Sequence, residues 1–226
     1  MIAIVVLIAA LAVVTLPQLL VRATISRHSG DRPDMPGTGG ELARHLLDRF
    51  GLSHVAVEAT DKGDHYDPDA VAVRLMPRHL GGRSVSAVAI AAHEVSHAIQ
   101  HDNGERKLAL RQRLVRVAMF TDRIAGIFFL AAPVLTVIIR SPVALAGAIA
   151  LGIALLSVRV VVNLVTLPVE TDASFAKALP ILEDGGYLSG DDLPAARNVL
   201  RAAAFTYVAG ALISLINLAR WIRLLR

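Results

Sequence analysis

Four apolar runs dominate this chain, at about 1–21, 117–139, 143–167 and 202–219. Each comes close to the roughly 20 residues that a helix needs to cross the hydrocarbon core of a bilayer. In 226 residues they leave space for one small domain outside the lipid. Hydrophobic residues reach 54% while aromatics are only 4%, so Ala, Val, Leu and Ile carry the excess, as they do on lipid-facing helices. The first run has no basic segment before it and no small-x-small cleavage pattern after it, so it reads as a retained anchor.

Charge supports the same class. The net charge of +4 comes mostly from arginine placed beside apolar segments, which is an orientation signal more than a nucleic-acid footprint. No basic stripe is interleaved with aromatics, so nucleic acid is not expected as a partner. There is no cysteine, hence no disulfide and no thiolate metal site. Any metal must be held by His, Asp or Glu.

The segments between the runs carry soluble-domain signals. Thr38 followed by Glu41 is a capping-box pattern, with Leu42, Leu46 and Phe50 expected on one helix face and Gly51 just past its end. Segments 55–60 and 71–76 alternate as two strands, separated by a turn-rich acidic loop, 61–69. Ser84 caps the next expected helix, which runs to about Gln100 and stops near Asn103 and Gly104. A basic amphipathic stretch, 106–116, leads into the second apolar run, and Arg140-Ser141-Pro142 turns into the third. The expected fold is α+β: a predominantly helical membrane protein with a small zincin-like catalytic domain between transmembrane helices. Its parts are an anchor at 1–22, a catalytic domain at 23–116, two transmembrane helices at 117–167, a helix carrying a third ligand at 168–201 and a C-terminal membrane helix at 202–226.

The chemistry is written in His93-Glu94-Val95-Ser96-His97. Residues four apart share a helix face, so both imidazoles reach one metal, and Glu94 is placed as general base for a metal-activated water. Zinc suits two neutral imidazoles, one carboxylate and an open position. His101 continues the spacing, but it lies roughly 12 Å along the helix from His93, too far for bonds of about 2 Å to a shared ion. The remaining ligand is then a carboxylate from elsewhere. Glu105 is too near in sequence to fold back. Glu170 follows Arg159, Asn163 and Thr166 at helical spacing, a polar stripe on an otherwise lipid-compatible helix, with Pro168 as a potential kink. In the Asp64–Pro68 loop, His65 or Tyr66 is a candidate donor to a tetrahedral oxyanion, and the sequence does not separate the two. The same loop also reads as an ordinary solvated turn.

Three motifs in order carry a resemblance: Asp64-His-Tyr-Asp-Pro68, Ala91-Ala-His-Glu-Val-Ser-His-Ala-Ile-Gln-His101 and Leu167-Pro-Val-Glu-Thr-Asp-Ala-Ser174. With the surroundings of Gly82–Val85 and Ala203–Ala209, the chain resembles the YugP-like family of bacterial membrane zinc metallopeptidases along nearly its whole length. It is more distantly similar to HtpX-like proteases. The resemblance implies zinc on His93, His97 and Glu170, with Glu94 as base. One departure concerns the position four residues after the ligand glutamate, where the HtpX-like pattern has Asp. Here it is Ser174, and the nearby acid is Asp172.

The function expected is that of a membrane-anchored zinc metalloendopeptidase of gluzincin-like HExxH type. It would hydrolyse peptide bonds of protein or peptide substrates through a zinc-activated water, with the lipid membrane as its other partner. Two rivals stand beside it: a non-catalytic membrane scaffold or assembly factor keeping a structural metal, and a site-2-type intramembrane protease. Arg22, Arg27 and Arg32 after the first run, and the basic stretch before the second, place the catalytic domain in the cytoplasm of a multi-pass protein of the bacterial inner membrane. Arg220, Arg223 and Arg226 argue the other way for a fourth full span, so that run spans or lies along the interface.

Overall fold

The computed structural model describes residues 2–138 and 141–223. Arg140 of the expected turn and Arg226 of the terminal basic cluster lie outside the described residues. The described chain is mainly helical with one small sheet. Its elements are α1 (Ile2–Arg27), α2 (Gly39–Arg49), β1 (Ala56–Ala59), β2 (His65–Asp67), β3 (Ala72–Leu75), α3 (Pro77–Leu80), α4 (Val85–Asp102), α5 (Arg106–Ile138) and α6 (Pro142–Thr171). A π-helical segment (Asp172–Ala178), α7 (Leu179–Asp184) and α8 (Leu193–Arg223) complete it. Contacts divide the chain into two units, Met1–Ala109 with Pro168–Thr206, and Leu110–Leu167 with Tyr207–Arg226.

In the first unit α4 is the central element. Its N-terminus is fixed by Ser84, whose Oγ accepts from Ala87 N–H at 3.1 Å. Its C-terminus closes through Asn103, with Gly104 taking φ +62°. Ala87, Ala89, Ala91 and Ala92 are fully buried. Their small side chains let α2, the sheet and the π-helical segment close on α4 from several sides. Helix α2 carries the reciprocal capping box, Thr38 N–H to Glu41 Oε2 at 2.7 Å and Glu41 N–H to Thr38 Oγ1 at 3.2 Å. At its first residue a Cβ on Gly39 would lie 2.3 Å from the His79 carbonyl, so only glycine permits this approach. The buried face of α2 is Ala43, Leu46 and Leu47; Phe50, expected on that face, is exposed. It falls at the C-cap, where the chain turns away toward Gly51 (φ +75°).

The sheet has three strands, in the order β1-β3-β2. β1 runs parallel to β3 (Val57 opposite Val73) and β2 antiparallel to it (Tyr66 opposite Val73). The expected two-stranded sheet therefore gains a third strand from within the acidic loop. Three residues are too short to show alternation, and Asp and Pro around them read as turns. The β2–β3 turn is held by Asp67 Oδ1, which accepts from Asp69 and Ala70 N–H at 3.0 Å each. It ends on Val71 at φ +50°, a strained conformation for a β-branched residue.

The basic stretch 106–116 and the second apolar run form one continuous helix, α5. Among the described residues, two helical stretches are long and apolar enough to cross a membrane, Ala146–Asp184 and Leu193–Leu215. Within the second unit, Asn163 Nδ2 donates to Ser214 Oγ at 3.4 Å, Arg159 pairs with Asp122, and Thr166 is buried. Arg159 and Asn163 of the polar stripe on α6 thus meet protein partners, while the buried Thr166 hydroxyl has no hydrogen-bond partner among the described residues. The helix continues through Pro168. Its irregularity comes later, in the π-helical turn, where Leu179 N–H reaches the Ser174 carbonyl.

Candidate metal centre

His93 and His97, four residues apart on α4, project from one face and stack edge to face, with ring centroids 4.7 Å apart. Glu170, in the last turn of α6, meets them. Its Oε2 lies 3.1 Å from His93 Nε2 and 3.4 Å from His97 Nε2. All three side chains are buried, Glu170 to 2% exposure. One donor atom from each falls within 4.8 Å of the others.

The hydrogen bonds around the rings fix which nitrogen faces inward. Gln100 Nε2 donates to Val169 O (3.2 Å) and to Asp172 Oδ2 (2.7 Å), so its Oε1 is the atom turned toward His97 Nδ1, at 2.8 Å. That oxygen can only accept, so His97 Nδ1 is the protonated nitrogen. Ser174 Oγ donates to the Leu200 carbonyl at 3.4 Å and accepts from His93 Nδ1–H at 3.2 Å. Both rings then turn Nε2 toward a carboxylate oxygen. With both Nε2 atoms offered as acceptors, such a buried convergence is costly unless a positive charge lies among them. Ligands at about 2.0–2.1 Å from a tetrahedral zinc sit about 3.3 Å from one another, and the distances of 3.1 and 3.4 Å match that edge. The donor set fits a divalent zinc ion.

Gln100 and Ser174 were not identified from sequence as holding the site, although each had a signal. Gln100 is three residues after His97, on the same helix face. Ser174 stands where a distantly similar family has Asp, and it meets His93. Asp172 acts one step further out: it accepts from Gln100 and pairs with Lys177, whose Nζ also meets Glu105 Oε1 at 2.9 Å.

Glu94 follows His93 on α4 and is buried, 7% exposed. The loop candidates are placed differently. Tyr66 Oη lies 2.7 Å from His101 Nδ1, and His65 Nδ1 lies 2.8 Å from the Gly63 carbonyl within its own turn. Burial, with Asp67 and Asp102 nearby, pushes the Tyr66 phenol above its usual range. His101 itself is exposed and is not among the three converging residues. Asp64 holds the loop, accepting from Met76 N–H at 2.7 Å and lying 2.8 Å from His79 Nδ1. Burial alone would raise the Asp64 carboxyl, but the His79 and Met76 contacts outweigh it and hold the carboxyl below its ordinary range.

Residues 3–226 match the family model described as "Putative neutral zinc metallopeptidase". The chain is 38% identical over 218 residues to a Bacillus subtilis (strain 168) protein named "Putative membrane protease YugP", covering 95% of this chain and 92% of that one. No solved structure matches. The chain belongs to this neutral zinc metallopeptidase family.

The outer hydrogen bonds lead to a measurable expectation. Gln100→Leu removes the acceptor that orients His97, and zinc affinity should fall roughly 10–100-fold. Competition with a chelator of known affinity measures this. Affinity equal to that of the unaltered protein would show that His97 needs no such partner.

Proposed function

We propose that the chain is a membrane-anchored zinc endopeptidase, with the metal held by His93, His97 and Glu170 and with Glu94 as the general base. The observation that carries this reading is the buried convergence of His93 Nε2, His97 Nε2 and Glu170 Oε2 beside Glu94. Bound there, zinc supplies Lewis acidity toward water and the peptide carbonyl. Glu94 accepts a proton from the attacking water and passes it to the leaving amine nitrogen as the C–N bond breaks. Gln100 and Ser174 keep the two imidazoles in the tautomer that offers Nε2 inward. Tyr66 or His65 is the candidate donor to the oxyanion, although their hydrogen bonds here run to His101 and to the Gly63 carbonyl.

Specific features favour this reading over the two rivals. A structural zinc site is usually closed by four protein ligands. Among the described residues the converging group has three members, which leaves a position for substrate or water. α4 is surrounded by α2, the sheet and the π-helical segment, and it is not one of the two stretches apolar enough to span a bilayer. The packing of protein around α4 is what opposes a motif immersed in lipid. Membrane anchoring is supported by those two stretches and by the printed name of the Bacillus subtilis relative.

Glu94→Gln should retain about one zinc per chain and lose peptide hydrolysis by at least 10²–10⁴-fold, because the ligands stay and the proton carrier goes. Metal analysis and cleavage assays on one preparation check this. Undiminished cleavage would remove Glu94 from the mechanism, and an unaltered protein that cleaves nothing would favour the scaffold.

Arg22 and Arg27 in the last turns of α1, Arg32 just after it, and the basic residues at the start of α5 support a catalytic domain on the cytoplasmic face of the bacterial inner membrane. A cysteine introduced by Lys62→Cys should react with an impermeant maleimide only after permeabilisation. Labelling from outside intact cells would reverse the topology.

A further inference from the structure

Away from the metal centre, the first unit holds a cavity of about 620 Å³ between α1 and α8, within the size range of small-molecule sites. Each helix contributes one face at helical spacing: Leu20, Ala23, Thr24 and Arg27 from α1, and Asn198, Arg201, Ala202 and Phe205 from α8. Val21 and His28 complete the lining. No acidic side chain lines it, and among the described residues neither Arg27 nor Arg201 has an acidic partner. Both guanidinium-bearing residues are exposed. Two cations therefore face one space with no acidic partner among the described residues.

Chain order gives the cavity a direction. Arg27 and His28 stand where α1 leaves its apolar run, and Asn198 and Arg201 stand where α8 enters its own. Toward the apolar side lie Leu20 and Phe205, 54% and 43% exposed. A cationic end beside an apolar end, at the boundary of two lipid-compatible helices, complements an anionic amphiphile. The walls do not hang loose. Ser86 bonds to the end of α1, its N–H to His28 O at 3.0 Å and its Oγ to Ile25 O at 2.7 Å. Arg32 pairs with Asp192 at 2.8 Å, just before α8.

We propose that this cavity binds one anionic glycerophospholipid, its phosphate between Arg27 and Arg201 with the Asn198 amide in reach, and its acyl chains along Leu20 and Phe205. The site rests on the membrane-anchored reading above. It would make the setting of α1 against the catalytic domain responsive to the charge of the surrounding lipid.

Native mass spectrometry of the full-length protein in mild detergent tests it, with phosphatidylglycerol or phosphatidylcholine of the same acyl chains added. Phosphatidylglycerol should bind preferentially. Arg27→Gln/Arg201→Gln should weaken that binding roughly 25-fold, about fivefold for each cation lost. The control is Arg22→Gln/Arg197→Gln, which removes equal charge from exposed positions on the same helices that do not line the cavity. It should bind the lipid as the unaltered protein does. Equal loss in both double variants, or equal binding of the two lipids, would overturn the site. So would displacement of the lipid by millimolar glycerol 3-phosphate, which would mark a site for a free phosphate ester. Retention of the unaltered protein in alkaline-washed membranes is scored separately. A washed-off protein would overturn the membrane reading and the lipid site together; a retained protein without lipid preference would overturn the lipid site alone.

Discussion

Two imidazole lone pairs and a carboxylate oxygen meet in the buried interior of the catalytic unit, and the rest of that unit answers to the cost of holding them there. Bringing Glu170 Oε2 to 3.1 and 3.4 Å from two Nε2 atoms without a positive charge would be strongly unfavourable. The surrounding bonds remove the easiest escape, which is ring rotation. Gln100 is fixed by Val169 and Asp172, and Ser174 is tied to the Leu200 carbonyl. Each imidazole can then present only Nε2 inward. The site is organised to hold a cation.

The architecture follows from delivering a residue at position 170 to a helix at positions 93–97. α4 is lined with alanines where other elements close on it, so the approach costs little side-chain volume. α6 brings Glu170 on its last turn, and the π-helical segment right after it sets Ser174 against His93 and Asp172 against Gln100. π-helical turns are uncommon and gather at functional sites. Here the altered winding lets three residues within five positions serve one histidine pair.

Much of this was legible in the sequence. The His93–His97 spacing on an expected helix predicted a shared face, and the Thr38 and Ser84 caps formed where the residue types placed them. The polar stripe before Glu170 pointed it toward protein, and the structure brings it to both histidines. Other features were hidden for physical reasons. β2 is three residues long and set among turn formers. Phe50 sits at a helix end, where the chain reverses and facial periodicity stops holding. A π-helical turn depends on tertiary packing and leaves no local pattern. Tyr66 and His65 belong to β2, and their side-chain hydrogen bonds run to His101 and to the Gly63 carbonyl, relations that sequence spacing does not encode.

The central claim is that the third ligand comes from α6 and not from the active helix itself. Zinc stoichiometry of purified Glu170→Ala and His101→Ala, each first checked for native unfolding behaviour, tests it most directly. The account predicts strong loss of zinc from Glu170→Ala and about one zinc per chain in His101→Ala. Zinc retained by Glu170→Ala and lost from His101→Ala would contradict it.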